Sequence, residues 1–70
     1  MSESVSNKVQ ELRNGAGMTQ EALAEKLNVS RQTIIAIEKG NYSPSVLLAL
    51  KIARCFKVSV EKVFFISYEK

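Results

Sequence analysis

The stretch from Leu23 to Gly40, LAEKLNVSRQTIIAIEKG, constrains this chain more than any other. It begins as an amphipathic helix with Leu23, Ala24 and Leu27 facing inward, breaks at Asn28-Val29-Ser30, and restarts as a second helix with Ile34 and Ile37 as its buried pair. Thr19 and Ser30 stand where a short hydroxyl side chain can accept from an amide of the first helical turn. Glu21, just inside the first of these helices, complements its dipole. So short a turn calls for a residue that tolerates positive φ. Asn28 occupies that place, and asparagine is the type most tolerant of it after glycine.

The flanking segments read as further short helices. Val5, Val9 and Leu12 have helical spacing and predict a first helix from about Ser6 to Asn14, ended by Gly15-Ala16-Gly17. GNYSPS is a turn by composition, since Pro44 bars a continuous helix. A fourth helix starts at Ser45 and carries Val46, Leu48, Ala49, Leu50, Ile52, Ala53 and Phe56, and Ser59 caps a short fifth with Val60, Val63 and Phe64. The end, FISYEK, has no helical period; its alternation suits a short strand. The expectation is an all-α, five-helix domain over residues 1–70, with a core of about 6–64 and a strand-like tail over 65–70.

Composition narrows what such a domain can do. Seventy residues bury a core that is only just sufficient. Cys55 is the one cysteine and there is no histidine, which argues against a disulfide, a metal site, a cofactor and acid–base catalysis, so no enzyme is expected. With no signal-peptide pattern and no long apolar run, the expected location is cytoplasmic, away from any membrane. Cys55 itself reads as a small core hydrophobe. The net charge of +3 is modest but unevenly placed: residues 1–30 hold three basic and four acidic side chains, residues 31–70 seven and three. A surface positive on one side suits a polyanion, although a solvated basic face has the same composition.

From Gln20 to Lys39 the spacing meets the demands of a helix-turn-helix: apolar residues at Leu23, Leu27, Val29, Ile34 and Ile37, and a small residue, Ala24, where the helices approach. A plain helical hairpin would use the same apolar positions. It would not explain Arg31, a cation at a helix start where the dipole disfavours it, followed by Gln32 and Thr33. Polar side chains at the front of a helix are what reach base edges in a major groove.

Together with ELR, YSPS, LALKIA and VSVEKVF, this segment resembles the Cro/CI-type (Xre-like) helix-turn-helix family, and the small stand-alone repressors within it, over about Val9 to Phe64. The resemblance implies a lambda-repressor-like fold and double-stranded DNA as partner. It puts Arg31, Gln32, Thr33, Ile35 and Ala36 at base-reading positions, and Gln20, Ser30, Lys39, Asn41 and Tyr42 at phosphate positions, with Ser30 chiefly a cap. Arg13 and Glu38 match an internal ion pair. Two residues depart from the family pattern. Ile35 replaces a common polar residue, and either packs beside Ile34 or meets thymine methyls; Leu47 replaces a common acid.

A single domain reads few base pairs, so a homodimer on a (pseudo)palindromic operator is expected, acting as a repressor. The surplus apolar residues Phe65, Ile66 and Tyr68, with Leu47 at the edge and Ser4-Val5-Ser6 alongside, are the expected contact between protomers. Phe65 and Ile66 could instead fold back on helices four and five. The alternative function is an antitoxin-like or scaffold module that uses the same fold to bind protein. No small-molecule effector domain is expected.

Overall fold

The computed structural model describes residues 2–69; Met1 and Lys70, the ends of the expected domain and tail, lie outside the described residues. The order is β1 (Ser2–Asn7), α1 (Val9–Gly15), α2 (Gln20–Leu27), α3 (Arg31–Glu38), α4 (Val46–Phe56), α5 (Val60–Val63) and β2 (Phe64–Glu69). The five helices are those expected, except that the fifth stops at Val63 and Phe64 begins β2, and the chain is not all-α. β1 and β2 pair antiparallel in a two-stranded sheet, from Ser2 opposite Glu69 to Asn7 opposite Phe64. No helix of the described residues is long and apolar enough to cross a membrane.

The first helix starts three residues later than its apolar spacing predicts. Val5 lies in β1 opposite Ile66 and is half exposed. Helical period alone could not separate the two states, because the hydrogen-bond partner that makes residues 2–7 extended is some sixty residues away. Asn7 and Lys8 then form the joint. The Asn7 Oδ1 accepts from the Val9 amide at 3.1 Å, while the Lys8 amide donates to the Val63 carbonyl at 2.9 Å.

The core is one cluster drawn from all five helices. Val9, Leu23, Ile34, Ile37, Ile52 and Val63 are fully buried, joined by Ala24, Leu27, Leu48 and Ala53. α4 turns Leu48, Ile52 and Ala53 inward and leaves Val46, Leu47 and Leu50 exposed. Cys55 is partly buried against the cluster. Thr19, Ser30 and Ser45 cap α2, α3 and α4, accepting from Ala22, Thr33 and Leu48 amides. Ser59 has the extended backbone of a cap, but its hydroxyl makes no capping bond, in contrast to the sequence expectation.

The first four helices end the same way. After α1 the Gly17 amide donates to Asn14 and the Met18 amide to Arg13; the Asn28 and Val29 amides, the Gly40 and Asn41 amides, and the Lys57 and Val58 amides repeat the pattern on α2, α3 and α4. Each is the paired closure that satisfies two orphan carbonyls and requires a left-handed residue at its pivot. Gly17 (φ 70°), Asn28 (φ 59°) and Gly40 (φ 79°) suit that role. Lys57 (φ 58°) does not: a β-carbon in this region costs roughly 1–2 kcal/mol. Because glycine forfeits part of that gain in unfolded-state entropy, Lys57→Gly should stabilise the chain by about 0.5–1 kcal/mol net. Thermal unfolding followed by circular dichroism should show a rise of a few degrees in Tm; a lower Tm would mean that the lysine side chain offsets its own strain.

Candidate nucleic-acid interface

α3 is exposed along one side because Ile34 and Ile37 use the other for the core. Arg31 and Gln32 are exposed at its start, and Thr33, Ile35 and Ala36 are partly buried. For Ile35 this intermediate burial lies between the two alternatives left by the sequence. Arg31 borders a shallow cleft with Arg13, Thr19, Gln20 and Glu21, and has no carboxylate within ion-pair distance among the described residues. An unpaired guanidinium at the positive end of a helix dipole adds to the local potential. The Ser30 hydroxyl, besides receiving the Thr33 amide at 3.2 Å, pairs with the Thr33 hydroxyl at 2.9 Å. Both hydroxyls are thus engaged in the cap.

The other end of α3 is fixed by a carboxylate. Glu38 Oε2 accepts from Arg13 Nε at 2.7 Å, and Oε1 accepts from Arg13 Nη2 at 3.2 Å and from Gln20 Nε2 at 3.1 Å. Arg13 Nη1 donates to the Met18 carbonyl at 2.8 Å, in the turn between α1 and α2. The two side chains are 10% and 3% exposed, so this is an interior pair. Hydrogen bonding to Glu38 and the charge of its carboxylate hold the Arg13 guanidinium above its ordinary pKa, against the lowering effect of burial. A raised base pKa stabilises the fold at every pH below the ordinary value and is lost only as pH rises through the raised one. The pair therefore persists across the whole working range. Gln20, matched by family resemblance to a phosphate position, has one amide N–H committed to Glu38, which orients the group at the front of α2.

Lys39, Gly40, Asn41 and Tyr42 follow α3 as an exposed turn. Its amides at Gly40 and Asn41 are tied back to Ile37 and Ala36. The sequence reading missed two groups here. Asn7 Nδ2 donates to the Ile37 carbonyl at 2.9 Å, and Lys51 Nζ donates to the Leu27 carbonyl at 3.0 Å. For Asn7 a local signal existed, since asparagine two residues before a helical amide is a turn-forming pattern, but the apolar period through Val5 masked it. For Lys51 no local signal exists.

The residues expected at a protomer contact fall in different places. Leu47 is 70% exposed and borders a groove with Val29, Thr33 and Tyr42, beside α3. Ile66 and Tyr68 lie on one sheet face with Val5, at 58%, 61% and 48% exposure. Phe65 points to the opposite face and borders a cleft with Leu12 and Val58. Adjacent strand residues must diverge this way. β2 finds its hydrogen-bonding partner within the chain, in β1.

Removing the arginine of the interior pair would leave Glu38 buried with a single side-chain donor, a loss on the order of 3–5 kcal/mol. That is a large share of what so small a chain can hold. Arg13→Ala should therefore unfold at markedly lower urea concentration than the parent; an unchanged midpoint would show the pair to be energetically idle.

A family model described as helix-turn-helix matches residues 9–63. An uncharacterised HTH-type transcriptional regulator of Bacillus subtilis, YgzD, is 54% identical over 63 residues, covering 90% of this chain and 96% of the relative. Another, from Methanocaldococcus jannaschii, is 59% identical over 58 residues, covering 83% and 88%. Among solved structures, the restriction-modification controller protein C.AhdI from Aeromonas hydrophila superposes with a TM-score of 0.72 at 27% identity, covering 79% of this chain and 83% of that one. The match spans both helices of the motif and the Arg13–Glu38 anchor beneath them, and the chain belongs to the Cro/CI-type (Xre-like) helix-turn-helix family of DNA-binding transcriptional regulators.

Proposed function

We propose that this chain is a sequence-specific repressor that binds a (pseudo)palindromic operator as a homodimer, with α3 of each protomer in the major groove. The observation that carries this reading is the contrast between the two ends of α3: a front with exposed, unpaired Arg31 and Gln32, and a rear locked by Glu38 to α1 and α2. A reading helix must present flexible donors from a fixed axis, because a bidentate contact tolerates little displacement. Arg31 is suited to the O6 and N7 of guanine and Gln32 to the N6 and N7 of adenine. Ile35 and Ala36, half exposed one turn later, offer apolar contact to a thymine methyl, and the Thr33 methyl can do the same while its hydroxyl stays in the cap. Gln20, through its second amide N–H, with Ser30, Lys39, Asn41 and Tyr42, would hold phosphates on either side.

Selection of preferred sites from random duplexes tests the reading as a whole. We expect a two-fold-related consensus with half-sites about one helical turn, ~34 Å, apart. Recovery of no consensus would favour the protein-binding alternative. Within such a site, Arg31→Ala and Gln32→Ala should each cost about 1–3 kcal/mol and relax the preference at one base pair, whereas Lys39→Ala should weaken all sequences alike and flatten the salt dependence. Titrations of the selected site and a scrambled duplex at several salt concentrations check both.

For the dimer, the supporting feature is the exposed apolar patch of Val5, Ile66 and Tyr68, which Glu3 borders on the same sheet face. Isologous contact of two such faces would give the two-fold axis that a palindromic site requires. Leu47 and Phe65 would then flank this contact from α4 and from the sheet's other side. Ile66→Ser combined with Tyr68→Ser should give a folded monomer in sedimentation, with operator affinity at least tenfold lower. A double variant that sediments as a dimer would move the interface elsewhere.

A further inference from the structure

Asn7 is the last residue of β1, and its carboxamide is used at both ends: Oδ1 receives the first amide of α1 at 3.1 Å, and Nδ2 donates to the Ile37 carbonyl in the last turn of α3 at 2.9 Å. That same carbonyl receives the Gly40 amide at 3.0 Å, the bond that turns the chain out of α3 through a left-handed residue. Both lone pairs of one oxygen are therefore filled, one by the turn and one by the terminal sheet. The next residue, Glu38, is gripped through its side chain by Arg13 and Gln20. Two consecutive residues are thus fixed in different ways, Glu38 by its carboxylate and Ile37 by its backbone. Only the second grip acts on the exit path of the main chain. On the other side of Asn7, the Lys8 amide is bonded to the Val63 carbonyl, so the sheet, α1 and the α5–β2 junction meet at this residue.

We propose that Asn7 is a positioning residue for DNA binding: through the Ile37 carbonyl it fixes the rear of α3 and the turn Lys39–Tyr42, and so makes the terminal sheet part of the DNA-binding machinery. The proposal rests on the reading of that turn as a phosphate-contacting element. The chemistry requires asparagine. Aspartate keeps the acceptor that serves the Val9 amide but turns an oxygen toward the Ile37 carbonyl, and serine keeps an acceptor but lacks the reach. Both substitutions can retain the start of α1 and lose the bond to α3, which separates positioning from folding.

The test uses the full chain with Asn7→Ser and Asn7→Asp, at a temperature where circular dichroism shows each folded. Asn7→Ser is neutral and controls for repulsion between an added carboxylate and DNA. Affinity is measured for the selected operator and for a scrambled duplex, alongside amide exchange at Gly40 and Asn41. Both variants should bind operator and scrambled duplex about 5- to 10-fold more weakly, the size expected for one net hydrogen bond, with the ratio between the two duplexes kept. Exchange at Gly40 and Asn41 should quicken while the Ile52 amide in the core keeps the parent rate. Unchanged DNA affinity in folded Asn7→Ser overturns the proposal, as does a collapse of the operator-to-scrambled ratio, which would show that the base-reading front had moved instead. Lys39→Ala and Asn41→Ala in the same assay separate the two levels: if both bind like the parent, the phosphate reading of the turn fails together with the proposal; if they bind weakly and Asn7→Ser does not, the positioning role alone fails. Should Asn7→Asp not fold, Asn7→Ser decides alone, and should neither fold, Asn7 is a folding residue and the proposal is overturned.

Discussion

A carboxylate at 3% exposure cannot be left short of donors, and the position of α3 follows from how Glu38 is satisfied. Three donated bonds converge on it from α1 and from the front of α2. Apolar packing of Ile34 and Ile37 would allow α3 to slide or roll with small loss, because dispersion contacts are non-directional. The bidentate arginine does not, since both its bonds need one plane and one distance. The ion pair is accordingly a device for register more than for net stability; buried pairs commonly return little beyond their own desolvation.

What the anchor fixes at the rear of α3 is useful only because the front is free. The Ser30 hydroxyl caps the helix by accepting from the Thr33 amide and pairs with the Thr33 hydroxyl, so the side chains of Arg31 and Gln32 are not recruited into capping. The dipole that makes a cation at Arg31 unfavourable in isolation becomes favourable once an anion approaches. The same division runs through the helix ends. Four successive helices close with the same paired amide pattern, which allows turns of three or four residues between α1, α2 and α3 and leaves no slack in the motif.

The terminal sheet extends this economy to a chain whose core is small. β1 and β2 satisfy each other's backbone groups, and Ser4, Ser6 and Ser67 share hydrogen bonds on one of its faces. Phe64, at the start of β2, still packs on the core, but exposure rises at Ile66 and Tyr68 as the strand leaves it. The serines share their face with Phe65, while the other face runs from Phe64 on the core out to the exposed Val5, Ile66 and Tyr68, with Glu3 at its far end.

Much of this was legible in the residues themselves. The five helices, the caps at Thr19 and Ser30, and the left-handed Asn28 follow from local chemistry: hydroxyls beside orphan amides, apolar residues at a 3.6 period, a side chain that tolerates positive φ. The exposed Arg31 and Gln32 could be picked out because a helix burying Ile34 and Ile37 has only one other side. Tertiary structure alone decided the rest. Val5 falls in helical spacing with Val9 and Leu12, yet residues 2–7 become a strand because β2 supplies partners that no local window contains. Lys57 takes a left-handed conformation against its own preference because the packing of α4 and α5 needs the turn there. Asn7 and Lys51 bond to carbonyls at the ends of α3 and α2, thirty and twenty-four residues away in the chain. Each of these is a hydrogen bond or a strain settled by a distant partner. Local sequence specifies which groups need satisfying, and only the fold decides by whom.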